Sequence, residues 1–298
     1  MENQTERIVV GCDGSESSQR AVAWAAEQAV AERRGLTLAH AVHAVTPAYI
    51  DAAILDPAKA RSALLTEGRT VLEAAREQAA TKAPGLEIHE VLELLDPREM
   101  LLKMSQDAAM VVLGSRGRGQ IRSLLLGSVS VALVRHARCP VVVHRPGNAG
   151  TVRNGIVVGV EASEDSRSVL EFAYREAALR NLPLTVLHCY WDVQAGTAAA
   201  GVTYDALRDV EEERVEFAEA MAGMSENYPG VHVTTRMVRG LPHQVLAHLG
   251  ERMNLIVVGA HQASKASRLV HGSVSIALVE RATCPVAVVP VVPAPVSP

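Results

Sequence analysis

The 298-residue sequence predicts an α/β protein built from two tandem, doubly wound parallel-sheet domains of five strands each. The first observation is an internal repeat. IVVGCDGSESS at 8–18 returns as IVVGVEASEDS at 156–166, and GSVSVALVRHARCPV at 127–141 returns as GSVSIALVERATCPV with eleven of fifteen positions identical. The second is that short β-branched runs alternate with segments of helical periodicity. These runs are apolar on both faces, as in a parallel sheet covered on both sides.

Local signals predict each element of the first repeat. ERIVVGCD is the first strand, and Ser15 caps a helix that buries Ala21, Val22, Ala25 and Ala29 and is expected to end at Gly35. A second helix is expected at 58–82 and stops before Pro84 and Gly85, and a third is expected at 98–106, after Pro97. The fourth helix is expected at 127–137. The remaining strands are expected at 36–42, 87–94, 110–114 and 139–144.

The repeat places the domains at 1–147 and 154–291, joined near the Pro-, Gly- and Asn-containing segment 145–154. The last strand of each unit, Pro140 to His144 and Pro285 to Val289, has no following helix in its unit. Because an uncovered apolar edge invites aggregation, we expect these edges to pair within the chain or with a second chain. The sequence therefore predicts a pseudo-symmetric pair of domains and a homodimer.

Composition excludes several classes. A net charge of −4 and 3% aromatic residues argue against nucleic acid as a partner. No run approaches the roughly 18 apolar residues of a membrane span, and the mixed-charge amino terminus lacks the layout of a secretory signal, so a cytoplasmic protein is expected. Four scattered cysteines, Cys12, Cys139, Cys189 and Cys284, are interpreted as buried small hydrophobes.

The histidines predict no metal site, because their spacings do not cluster ligands on one face. His40 and His188 occupy matching positions of the repeat, at the end of the second strand, and are interpreted as hydrogen-bonded structural residues.

Glycines follow the fourth strand with the spacing Gly114-x2-Gly117-x9-Gly127-Ser128. Glycines there let the backbone take positive φ and approach a ligand closely. The helix that begins at Ser128 presents unpaired amides and the positive end of its dipole, which favour an anion such as phosphate. Positive charge on the loop comes from Arg116, Arg118 and Arg122, and further hydrogen-bond donors are the hydroxyls of Ser128 and Ser130.

Asp13 ends the first strand. In a doubly wound sheet, strands one and four flank the switch point where ligands bind, so its carboxylate is placed to accept hydrogen bonds from ribose hydroxyls or to help hold a metal. The alternative is that these glycines only form turns and that the arginines are ordinary solvent-exposed surface residues. Neither the G-x4-G-K-[ST] loop nor the dinucleotide fingerprint occurs, so the sequence supports neither a Walker-type ATPase nor a Rossmann dehydrogenase.

The combination of V-G-x-D-x-S at the first strand, the glycine motif above and the closing C-P-V-V-V strand resembles the universal stress protein family, in its tandem actinobacterial form. The resemblance covers both units and implies the adenine nucleotide alpha hydrolase-like (Rossmann-like) fold. In the ATP-binding branch of the family the nucleotide lies across strands one and four, so the resemblance implies that ATP or a related adenine nucleotide binds here, with or without Mg²⁺.

The resemblance also implies roles for individual residues. Gly11, Cys12 and Asp13 would line the ribose and adenine side, and Ala41 would meet adenine through its backbone. The residues that would wrap the phosphates are Gly114, Ser115, Arg116, Gly117, Arg118, Gly119, Gln120, Gly127, Ser128, Val129 and Ser130.

The second unit departs from this motif. Gln262 replaces the glycine that matches Gly117, and Glu161 replaces the aspartate that matches Asp13. A non-glycine residue in a left-handed conformation costs about 1–2 kcal/mol, and both side chains would extend into the space for a ligand. The motif residues that remain are Gly259, Gly272, Ser273, Val274 and Ser275. We expect the second site to be weaker or empty.

Two function classes follow, with a third as an alternative. The favoured hypothesis is a non-catalytic, nucleotide-dependent regulator of the stress response, in which ATP shifts the population of a conformer that acts on an unidentified protein partner or on assembly. The second is a slow ATP hydrolase or phosphotransferase, for which Asp13 is the evident candidate residue. The third is a nucleotide-free interaction module.

Overall fold

A computed structural model describes residues 7–42, 56–117, 126–145, 147, 153–161, 166–190, 215, 218, 221, 223–260 and 274–291. The chain divides into two compact units, Met1–Pro146 and Gly147–Pro298.

The first unit alternates strands and helices. Its elements in chain order are β1 (Ile8–Gly11), α1 (Glu16–Glu32), β2 (Leu36–Ala41), α2 (Pro57–Lys82), β3 (Ile88–Glu93), α3 (Pro97–Met104), β4 (Met110–Gly114), α4 (Ser128–His136) and β5 (Val141–His144). The strands run parallel in the order β3-β2-β1-β4-β5. Helices α1 and α2 pack on each other, as do α3 and α4, and all four contact the strands. The predicted doubly wound fold is confirmed.

The second unit repeats this arrangement. Its described elements are β6 (Ile156–Val160), α5 (Arg167–Arg180), β7 (Leu184–Tyr190), α6 (Met224–Asn227), β8 (Val233–Arg239), α7 (Pro242–Gly250), β9 (Leu255–Ala260), α8 (Val274–Arg281) and β10 (Val286–Pro290). The strands are again parallel, in the order β10-β9-β6-β7-β8. The proposed pairing of the last strands of the two units stays a prediction.

The core of each unit lies in the strands of its sheet. Ile8, Val10, Val111, Val112 and Val142 are 0% exposed. Burying one such side chain stabilises the fold by about 1.5–3 kcal/mol, so these apolar runs stabilise the fold where they form the central strands. β3 is only half-buried, as befits the last strand in the order of its sheet.

Helix α1 begins as predicted and ends earlier than predicted. The side chain of Ser15 accepts the Ser18 amide at 3.2 Å, and all four predicted alanine and valine positions are buried. The helix ends at Glu32 instead of Gly35, because Arg33 takes a left-handed conformation (φ 53°) and Arg34 donates its amide to Ala29 O at 2.8 Å. Asn181 closes α5 in the same way, with φ 50°.

Among the described residues, no helix is long and apolar enough to cross a membrane. Three cysteines, Cys12, Cys139 and Cys284, are buried as expected, whereas Cys189 is only half-buried. Burial raises the pKa of Cys12 to about 12, so its thiol is neutral at physiological pH.

Candidate functional site

The carboxyl ends of β1, β2 and β4 surround a cavity of about 540 Å³ in the first unit. This is the switch point of the sheet, since β1 pairs with both β2 and β4. The residues that line it are Gly11, Cys12, Asp13, Ser18, Ala39, His40, Ala41, Pro97, Met100, Leu101, Leu113, Gly114, Arg116, Gly117, Leu126, Gly127, Ser128, Val129 and Ser130. Eleven of these belong to the predicted site.

One side of the cavity is apolar. Helix α3 contributes Met100 and Leu101, which are 2% and 3% exposed. The amino terminus of this helix is fixed by local capping: Asp96 accepts the Arg98 amide at 2.8 Å, and Pro97 occupies the first turn. Ala39 and Ala41 of β2 add small side chains. This side suits a flat, largely apolar group.

The opposite side is a turn followed by a helix amino terminus. Ser115 donates its amide to His144 O at 3.2 Å and accepts the Gly127 amide at 3.1 Å, which joins the turn to the start of α4. The amides of Ser128, Val129 and Ser130 lie in the first turn of α4, where helix geometry provides no acceptor. Together with exposed Arg116, they provide the donors and positive charge that favour an anion.

The glycines of the turn allow neighbouring segments to approach its backbone closely; they do not adopt unusual backbone angles. A Cβ on Gly114 would lie 2.7 Å from Ser17 Oγ, and one on Gly117 would lie 2.6 Å from Asp13 Oδ2. The φ angles of both glycines lie outside the left-handed region, contrary to our expectation; positive φ occurs instead at Gly14, φ 77°. At Gly114 the neighbour is also the Ser17 backbone, so a side chain is excluded there; at Gly117 the neighbour is the end of the Asp13 side chain, which an added Cβ would displace.

Asp13 is held by the first turn of α1. Its Oδ1 accepts the Ser15 amide at 2.9 Å, and its own amide donates to Ser18 Oγ at 3.1 Å. The carboxylate therefore lies at the rim of the cavity beside Gly117.

Two predicted phosphate ligands are placed differently from expectation. Ser115 is buried and does not line the cavity. Ser130 lines it, but its hydroxyl donates to Gly114 O at 3.1 Å, so its single proton holds the end of β4. Arg118, Gly119 and Gln120 lie outside the described residues.

His40 was interpreted as structural, and the structure shows why that interpretation is incomplete. Its Nδ1 lies 2.6 Å from Cys12 O and must carry the proton, because a carbonyl oxygen only accepts. His188 repeats the contact to Val160 O at 3.1 Å. His40 also lines the cavity, as its place at the carboxyl end of β2 next to Ala41 could have indicated. Among the described residues, no group of three His, Cys, Asp or Glu side chains forms a metal site.

In the second unit, the described motif residues are Gly259, Val274 and Ser275; Gly272, Ser273 and Gln262 are not described. Glu161 is exposed, and its carbonyl accepts the Ser166 hydroxyl at 2.7 Å. The matching Ser18 instead accepts the Asp13 amide, so the loops after β1 and β6 differ.

Comparison with known proteins shows the family of the chain. The model of the universal stress protein family matches residues 4–145 and 153–290, that is, both repeats. The chain belongs to the universal stress protein family. A universal stress protein of Mycobacterium tuberculosis is 32% identical over 292 residues, covering 96% of this chain and 97% of the relative. A relative from Mycolicibacterium smegmatis is 32% identical over 292 residues, covering 95% and 96%.

Among solved structures, a universal stress protein from Archaeoglobus fulgidus matches with a TM-score of 0.67 and 19% identity, covering 96% of this chain and 97% of that one. That likeness shows the fold. The duplication predicted from the repeat and the family implied by the motif resemblance are thereby confirmed.

Proposed function

We propose that the first unit of this universal stress protein binds ATP or a related adenine nucleotide. The observation that carries the proposal is that one cavity joins an apolar side to an anion site at a helix amino terminus. Its volume of about 540 Å³ lies in the range of small-molecule and cofactor sites. Met100 and Leu101 would pack against the base, and Asp13 would accept hydrogen bonds from ribose.

The phosphates would lie at the turn. Arg116 supplies positive charge, and the amides of the first turn of α4 are donors that cost no side-chain ordering. Mg²⁺ is compatible with these residues, because this ion is commonly bound by one or two carboxylates together with substrate phosphates, and Asp13 is the carboxylate at hand.

We further propose that the nucleotide regulates instead of being turned over. Among the cavity-lining residues that the structure describes, Asp13 is the sole carboxylate, and it is tied to the Ser15 amide. Hydrolysis also requires a group that orients the attacking water. Binding would instead shift the population of a conformer recognised by a partner or by a second copy of the chain.

The direct test is to denature the purified protein and identify the released small molecule, then to titrate the emptied protein with ATP by calorimetry. One nucleotide per chain is expected, and two per chain would show that the second unit also binds. No released nucleotide together with no heat of binding would contradict the proposal. Multiple-turnover release of ADP, abolished in Asp13→Ala, would favour the hydrolase instead.

A further inference from the structure

Two hydroxyl groups of the α1 amino terminus hold the backbone of Arg116. Ser15 Oγ donates to Arg116 O at 3.3 Å, and Ser17 Oγ accepts the Arg116 amide at 3.4 Å. The peptide groups on both sides of Arg116 are therefore fixed by a helix that lies about a hundred residues earlier in the chain.

The contact between α1 and this turn is tight. Ser17 is 8% exposed, and a Cβ on Gly114 would lie 2.7 Å from the Ser17 carbonyl carbon. On its other side, the turn is fixed by the bonds of Ser115 to His144 and Gly127. Three separate elements thus fix the position of the segment that offers Arg116 and Gly117 to the cavity.

We propose that Ser17, assisted by Ser15, is a positioning residue that determines the preference of the site for the phosphate tail over the nucleoside. This proposal rests on the proposed function. The Arg116 amide is itself donated to Ser17 Oγ, so the groups left to meet an anion are the Gly117 amide and the Arg116 guanidinium. Such donors contribute most to anion binding when they are already aimed at the anion. Ser15 and Ser17 do not line the cavity; they hold the segment that presents Arg116 and Gly117 to it.

The second unit differs at this position. Its sequence places Asp165 where the first unit has Ser17. Asp165 lies outside the described residues, so the difference is one of sequence: an aspartate stands where the first unit has the serine that accepts the Arg116 amide.

The test compares ATP with adenosine in the full chain by titration calorimetry. In Ser17→Ala we expect ATP affinity to fall by about three- to tenfold, the worth of one hydrogen bond, while adenosine affinity stays within about twofold. Ser17→Thr and Ser17→Val provide a matched pair of the same shape, of which only Thr retains the hydroxyl. We expect Thr to restore the preference for ATP over adenosine relative to Val, even if truncation to alanine lowers stability.

Ser105→Ala is the control for loss of a buried serine. Its hydroxyl donates to Leu102 O at 2.7 Å and accepts the Arg138 amide at 3.2 Å, and it does not line the cavity. This variant should lose stability and keep the wild-type ratio of ATP affinity to adenosine affinity. The positioning role alone would be overturned if Ser17→Ala lowered the affinities for ATP and adenosine equally. It would also be overturned if Ser17→Thr and Ser17→Val had the same ratio of ATP affinity to adenosine affinity. A wild-type chain that binds neither ligand would overturn the proposed function and this inference together.

Discussion

Gly117 lies so close to Asp13 that a Cβ on its backbone would be 2.6 Å from the Oδ2 atom of that carboxylate. The turn after β4 and the loop after β1 therefore meet at the rim of the cavity, and a side chain at position 117 would displace the Asp13 carboxylate. The second unit has a longer residue at both matching positions, Gln262 and Glu161.

Gly117→Ala tests this close contact. We expect the dissociation constant for ATP to rise at least about fivefold, because an added methyl group must displace Asp13 or the turn. Gly230→Ala is the matched control, since a Cβ there meets nothing within 4 Å. Titration calorimetry measures both, and an unchanged affinity in Gly117→Ala would show that the rim is not part of the binding site.

His40 and His188 make the same hydrogen bond in the two units, so their alanine variants separate stability from binding. Each variant should lose about 1–3 kcal/mol of unfolding free energy, because a buried carbonyl is left without its donor. Only His40→Ala should also weaken ATP binding, since Cys12 lines the cavity. If His40→Ala leaves thermal unfolding and ATP affinity unchanged, the contact has no such role.

The left-handed residues that close α1 and α5 predict a gain in stability. Arg33→Gly should stabilise the protein by about 1 kcal/mol, because glycine adopts positive φ without a steric penalty. Asn181→Gly should gain less, since asparagine tolerates this conformation better than arginine. Arg69→Gly, within α2, is the control and should destabilise by about 1 kcal/mol. Urea unfolding measures all three, and destabilisation by Arg33→Gly would contradict the prediction.

The cysteines predict a loss of stability at alkaline pH. Burial raises the pKa of Cys12, Cys139 and Cys284 from 9.0 to about 12. The unfolded thiols lose their protons near pH 9 while the folded ones keep them, so this contribution is complete below pH 9 and falls as pH rises towards 12. Unfolding free energy at pH 8 and pH 10 should differ less when these three cysteines are replaced by alanine. An equal difference would show that their burial is not responsible.

Sequence periodicity predicted the elements because each strand and helix of a parallel fold must bury a local pattern of apolar residues. The runs Ile8–Gly11 and Met110–Gly114 are strands for this reason, and the repeat doubled the evidence. The site at the ends of β1 and β4 followed from topology, since the switch point of such a sheet is fixed by strand order. Helix ends were less certain, because a left-handed arginine carries no sequence signal.

The sequence by itself determined the tandem doubly wound fold, the place of the cavity and the glycine turn beside it, because all three depend on local pattern and strand order. Only the tertiary structure decided that Gly114 is required for space instead of backbone angle, that the Ser130 hydroxyl is used within the protein, and that Ser17 holds Arg116. These are contacts between segments far apart in the chain. Whether they form depends on how closely those segments approach in the folded protein, which residue spacing does not encode.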